Sequence, residues 1–160
     1  MDTHQKLLDL IGDFRNAMLT TRTSQGELDA RPMAIAEVED DGTLWFVSDR
    51  SSGKIADLML DQDVAVTMQS SSKFVSISGQ CQAVEDRQKI EQLWSEAFKV
   101  WFPEGKADPS IILLRVDPVR GEYWDNSGVQ GLKYLIKAGK AYLQGERPSP
   151  DDAINAALAL

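Results

Sequence analysis

A chain of 160 residues, 42% hydrophobic and 26% charged, has the length of one domain and enough apolar content for a core. Its 17 basic and 25 acidic residues leave a net charge of −8, which opposes binding to a phosphate backbone and predicts no nucleic-acid partner. One cysteine, Cys81, and one histidine, His4, exclude an internal disulfide framework and a metal centre built from several such side chains.

The longest wholly apolar run, Ile111-Ile112-Leu113-Leu114, is too short to cross a bilayer. The opening Met1 to Lys6 lacks a basic leader before an apolar stretch, so a cytoplasmic protein with no membrane partner is expected. Asp2 to Asn16 reads as a helix with Leu7, Leu10, Ile11 and Phe14 on one face, capped by Asp2 or Thr3. Met18 to Thr23 predicts a strand, Ser24-Gln25-Gly26-Glu27 a turn, and Leu28 to Val38 a second strand. Pro32 has no N–H to give to a ladder, so it belongs at an edge, a bulge or a strand entrance. A turn at Asp40-Asp41-Gly42 leads to a third strand, Thr43 to Ser48.

Asp49 to Gly53 breaks the sheet, and Lys54 to Leu60 predicts a short helix with Ile55, Leu58 and Met59 inward. Val64 to Met68 and Phe74 to Ser78 are strands around Ser70-Ser71-Ser72-Lys73, the second running on through Cys81 to Val84. Glu85-Asp86 opens a long helix whose stripe of Ile90, Leu93, Trp94, Ala97, Phe98 and Trp101 ends before Pro103. Ile111 to Val116 predicts a strand, turned by Asp117-Pro118 into a partner, Arg120 to Trp124. Leu132 to Lys137 reads as a short helix and Ala141-Tyr142-Leu143 as a short strand or extended arm. Ser149-Pro150-Asp151-Asp152 opens a final helix bearing Ile154, Ala157 and Leu158. Six or seven short strands with few helices between them predict a mainly β (α+β) antiparallel barrel, not a parallel sheet.

Fingerprints for dinucleotides, phosphate loops, metalloproteases and calcium loops are missing, and Ser51-Ser52-Gly53-Lys54 matches the Ser-x-x-Lys of serine acylases without its companion motifs. The informative stretch is Trp45 to Lys54, where a strand ends, hydroxyl residues follow and a helix begins with a lysine. The unpaired N–H groups of a helix start suit an anion, Ser51 and Ser52 add hydroxyls, and Lys54 adds a charge that the helix dipole disfavours without a bound anion. Arg31, beside Pro32, is a second cation for the same anion. The same residues also suit an ordinary turn with a solvated lysine. Trp94, Phe98 and Trp101 fit core or a subunit interface, and Trp124 fits either a planar ligand or a barrel-end plug. Cys81, alternating in a strand, reads as a buried hydrophobe.

Ala30-Arg31-Pro32-Met33-Ala34-Ile35, Phe46 to Lys54 and Phe74 to Cys81, in this order, resemble the pyridoxamine-phosphate-oxidase-like, FMN-binding split-barrel flavoproteins, nearest their bacterial general stress protein branch. The resemblance covers roughly residues 5 to 125. It implies a six- to seven-stranded split β-barrel with peripheral helices, and a homodimer holding FMN, or alternatively FAD, at its interface. Residues 1–126 would be the flavin-binding domain and residues 127–160 a C-terminal extension packing on it. Arg31 and Lys54 would bind the phosphate with Ser52 assisting, Pro32, Met33 and Ala34 would lie along the flavin, Val47 and Ser48 would line the opposite side, and Trp124 would approach from the partner. Gly53 stands where the oxidases carry an arginine, Phe74 where they carry a glutamine, and no histidine follows His4. The implied activity is therefore that of a flavin-dependent oxidoreductase in stress responses other than pyridoxamine phosphate oxidation. A non-catalytic flavin store and a ligand-free dimeric module are the alternatives, and no residue stands out as catalytic.

Overall fold

The computed structural model describes residues 2–145 and 155–160. Helix α1 (Thr3–Gly12) starts where the Asp2 carboxylate accepts the Gln5 N–H at 2.7 Å, and it buries Leu7, Leu10 and Ile11. Strands β1 (Asn16–Arg22), β2 (Leu28–Val38) and β3 (Leu44–Asp49) form an antiparallel meander. Helix α2 (Gly53–Leu60), strands β4 (Asp63–Gln69) and β5 (Lys73–Val84), and helix α3 (Arg87–Leu93) follow. Strand β6 (Ile111–Asp125), helix α4 (Gly128–Gln144) and strand β7 (Asn155–Ala159) complete the described elements, apart from two 3₁₀ turns.

Six strands close on themselves in the order β3-β2-β1-β4-β5-β6, with β6 pairing back to β3. This is the antiparallel split barrel expected, with β7 as an extra strand on β6. One cluster fills the barrel, with Leu19, Phe46, Val66, Ile77, Leu114 and Tyr123 sealed by the apolar face of α1. A second lies beneath α3, where Trp45, Ile90, Phe102, Ile111 and Leu113 meet. β3 separates the two: Leu44 and Phe46 enter the first cluster, Trp45 and Val47 the second. Buried in the barrel, the Cys81 thiol is pushed up to about 12, chiefly by desolvation and further by the Asp117 charge, so it is a packing residue and no nucleophile.

Several local expectations give way to tertiary context. Met59 is 83% exposed, so α2 turns Ile55 and Leu58 inward without it. The long helix after Asp86 is broken. α3 stops at Leu93, Trp94 leaves with an extended ψ of 133°, and Ser95 caps a separate 3₁₀ turn, Glu96–Val100, through its hydroxyl. A serine hydroxyl that competes for backbone N–H groups explains the restart.

The predicted hairpin at Asp117-Pro118 is instead one continuous strand, β6, with Val119 left out of the ladder opposite Ser78 and Gly79. Its first half pairs with β3 and its second half with β7, so both halves are needed in line. Ala141 to Leu143 belong to α4, which extends well beyond Leu132 to Lys137 at both ends. Residues 155–159, expected in a helix, form β7 because β6 offers an edge from Arg120 to Trp124. The predicted start of that helix at Ser149 to Asp152, with Ile154, lies outside the described residues.

Candidate functional site

The barrel splits between β2 and β3. β2 pairs with β1 from Leu28 to Ala34, but with β3 only from Ile35 onward, and the register slips at Ala36. The Ile35 N–H donates to the Arg15 carbonyl at 2.9 Å. Strand alternation therefore aims the backbone nitrogens of residues 32 and 34 away from β1, into the gap. Pro32 has no N–H to offer there, so β3 gains nothing by closing on it. The proline thus sits on an open strand edge.

A cavity of about 470 Å³ occupies the gap. Arg31, Pro32, Met33 and Ala34 of β2 form one wall, and Val47, Ser48 and Asp49 of β3 the other. Lys54 enters from the first turn of α2, and Phe98, Trp101 and Phe102 from the 3₁₀ segment close a third side. Arg31 and Lys54, distant in sequence, face one concavity.

The two cations are held differently. Arg31 donates to Thr21 Oγ1 at 2.8 Å and the Leu19 carbonyl at 3.2 Å, and pairs with Asp29 at 3.1 Å and Asp57 at 3.9 Å. Lys54 Nζ donates to Ser52 Oγ at 2.8 Å and, among the described residues, has no salt bridge. Burial first, and the Arg31 charge second, lower the Lys54 pKa below the usual lysine value, against the pull of Asp49. Ser52 occupies the N-cap of α2 without capping it, its oxygen being used by Lys54, so no side chain among the described residues serves the first N–H groups of the helix. A dianion here would relieve the mutual repulsion of two cations and complete a helix start.

Ser51 is committed elsewhere: its N–H and hydroxyl donate to the Asp49 carboxylate at 2.7 and 2.5 Å, which shapes the corner and keeps Asp49 ionised. The hydroxyl of Ser48 is buried with no hydrogen-bond partner among the described residues. An orphan of that kind on a cavity wall is satisfied by a polar ligand, and it fits a flavin better than an apolar guest. Trp124 lies outside the cavity, half-exposed opposite Phe74, toward the far end of β6 from the Ile111–Leu113 segment that runs beside β3. Within one chain Trp124 is thus not brought to Arg31 and Lys54. Asn16, Phe98, Trp101 and Phe102 are lining residues that the motif stretches did not single out. The aromatic stripe was visible, but not the break at Trp94 that carries it to the cavity.

The sequence matches the family model described as "Pyridoxamine 5'-phosphate oxidase like" over residues 2–149. The chain belongs to that family. Among solved structures, the general stress FMN/FAD binding protein of Xanthomonas citri is 29% identical with a TM-score of 0.67, the match covering 79% of this oxidase-like chain and 90% of that one. General stress protein 26 of Bacillus anthracis is 23% identical with a TM-score of 0.70, over 77% of this chain and 94% of that one. A pyridoxamine 5'-phosphate oxidase-related, FMN binding protein of Nostoc punctiforme shares the fold at 15% identity and a TM-score of 0.60, over 99% of this chain and 91% of that one. No curated protein matches the sequence. Among the described residues of this oxidase-like chain, no group of acidic, histidine or cysteine side chains could hold a metal, and no helix is long and apolar enough to cross a membrane.

Proposed function

We propose that this protein binds FMN in the β2/β3 cleft as a cytoplasmic homodimer and serves as a flavin-dependent oxidoreductase of the general stress type. The observation that carries the reading is Arg31 and Lys54 on one cavity, with Lys54 lacking a carboxylate partner among the described residues. These cations and the start of α2 would hold the phosphate. The Ala34 N–H and the Ser48 hydroxyl would meet polar edges of the ring system, while Met33, Val47 and Phe102 shield it from water. The flavin supplies the redox chemistry when bound, and the chain supplies anchoring, orientation and solvent control. FMN/FAD binding by the Xanthomonas citri relative supports the cofactor class.

The outward face of the sheet supports a second copy as partner. Across β2, β1, β4 and β5, Pro32, Met18, Thr67 and Ser76 form one row, and Ala30, Thr20, Ala65 and Ser78 the next. Neither row holds a charge, in a chain where a quarter of all residues are charged. A flat uncharged patch of this kind suits a two-fold, self-complementary contact. Asp49, the acidic residue on the cavity, has its pKa lowered by hydrogen bonds from Ser51 and remains a carboxylate at neutral pH. Proton exchange would then fall to water, and this favours flavin retention without turnover as the second reading.

Titration of the flavin-free protein with FMN tests the proposal through flavin absorbance. Uptake is expected, with affinity steady while Lys54 is protonated and falling as pH rises through its lowered pKa, before the ordinary lysine value of 10.5. Without ligand the sign reverses: charged Lys54 costs stability below its folded pKa, and the cost fades as pH rises toward 10.5. Failure to take up FMN at any pH would refute the reading. Bound FMN with no faster oxidation of reduced nicotinamide would favour the retention reading.

A further inference from the structure

Among its described side chains, helix α4 turns the large ones away from its own chain. At 100° per residue, Val129, Leu132, Ile136 and Leu143 fall on one arc, flanked by Leu135 and Tyr142. All six are exposed, Leu132 by 59% and Leu143 by 85%. The residues of α4 that are buried, among those described, are Gly131 and Ala141 on the other side. The helix thus presents its apolar arc to solvent, the reverse of a helix packed for its own core. A contiguous apolar surface of this size marks an interaction site.

The charge of α4 says which kind of surface it fits. It contains Lys133, Lys137 and Lys140 and no acidic residue, giving +3. The other 14 basic and 25 acidic residues leave −11 elsewhere in the chain. A second copy of this chain therefore offers an acidic body to a basic amphipathic helix. Position agrees with charge. α4 begins three residues after Asp125, so its start adjoins Trp124, which lies opposite Phe74 on β5, the last strand of the uncharged sheet face. At its other end the chain returns to the same β6 edge through β7.

We propose that the apolar arc of α4 docks on the second copy as an arm of the dimer contact, with Lys133 and Lys140 directed to the partner's acidic surface. This rests on the dimer reading above and adds a surface that the sheet face does not include. An anionic membrane is the other surface a basic amphipathic helix suits, and the test separates the two.

Sedimentation equilibrium would be run on the full chain, on Leu132→Glu/Ile136→Glu, on Lys133→Glu/Lys140→Glu, and on a sheet-face variant, Thr67→Arg/Ser78→Arg. Circular dichroism melts would confirm folding, which these exposed positions should not disturb. The expected result is a dimer whose dissociation constant rises at least 100-fold in the apolar α4 variant and at least 10-fold in the lysine variant, and rises with salt in the wild type. A sheet-face variant that dissociates while both α4 variants dimerise like the wild type would overturn the α4 proposal and leave the dimer reading standing. A wild type that is monomeric at every concentration would overturn both. Unchanged dimerisation combined with α4-dependent sedimentation on phosphatidylserine vesicles would also overturn it, assigning the helix to a membrane.

Discussion

Replacing both Arg31 and Lys54 by alanine is expected to weaken FMN binding by about 10²–10⁴-fold, read by titration of flavin fluorescence. Each cation contributes charge-assisted hydrogen bonds to a phosphate, and each bond is worth roughly 1.5–3 kcal/mol in a partly enclosed site. Losing two costs about 3–6 kcal/mol, at ~1.4 kcal/mol per tenfold in affinity. Lys54 is the cleaner probe. It has no carboxylate partner among the described residues, so Lys54→Met removes a charge that the unliganded protein holds at a cost. Arg31 also ties β2 to Thr21 and Leu19 of β1, and its loss should lower the melting temperature of the flavin-free protein as well. If the double variant binds FMN like the wild type, the phosphate does not lie between these residues.

Gly79→Val is expected to harm folding of the barrel severely. A Cβ at Gly79 would lie 2.3 Å from the Asp117 carbonyl oxygen and 3.0 Å from the Pro118 Cα. Both are backbone atoms of the neighbouring strand, so no side chain can swing aside. The bulge at Val119 brings β6 this close, and the β5–β6 ladder would have to shift. We expect a loss of about 3 kcal/mol or more, which in a domain of this size is roughly 6–12 °C in melting temperature by calorimetry. Gly12→Ala is the control: its added Cβ meets nothing within 4 Å, and a change of no more than about 1 kcal/mol is expected. Equal melting temperatures for Gly79→Val and the wild type would mean that β6 does not pass Gly79 as described.

These two cases show what the sequence made legible. Pro32 narrowed its place to an edge, a bulge or a strand entrance because the missing N–H is a property of the residue alone, and the cleft lies at such an edge. The Ser51 to Lys54 corner was readable for a similar reason: capping and helix charge act within a few residues. Gly79 carried no such signal, because its need arises from Asp117 and Pro118, almost forty residues away. The same distance hid the continuity of β6. Asp117-Pro118 is good turn chemistry locally, yet pairing with β5 on both sides of it decides for one strand with a bulge. Residues 155–159 have helical spacing but find a free β-edge, and the ladder prevails. The aromatics after α3 were seen as an apolar stripe, but periodicity names a face and not the space it looks into. Only the break at Trp94 sends Phe98, Trp101 and Phe102 to the cleft.

The most direct test compares FMN with riboflavin, which has the same ring system and no phosphate, in titrations of the flavin-free wild-type protein at neutral pH. Riboflavin is expected to bind at least 100-fold more weakly than FMN, and Lys54→Met should narrow that ratio by lowering FMN affinity alone. Equal affinity for the two, or the same ratio in Lys54→Met, would contradict a phosphate held by Arg31, Lys54 and the start of α2.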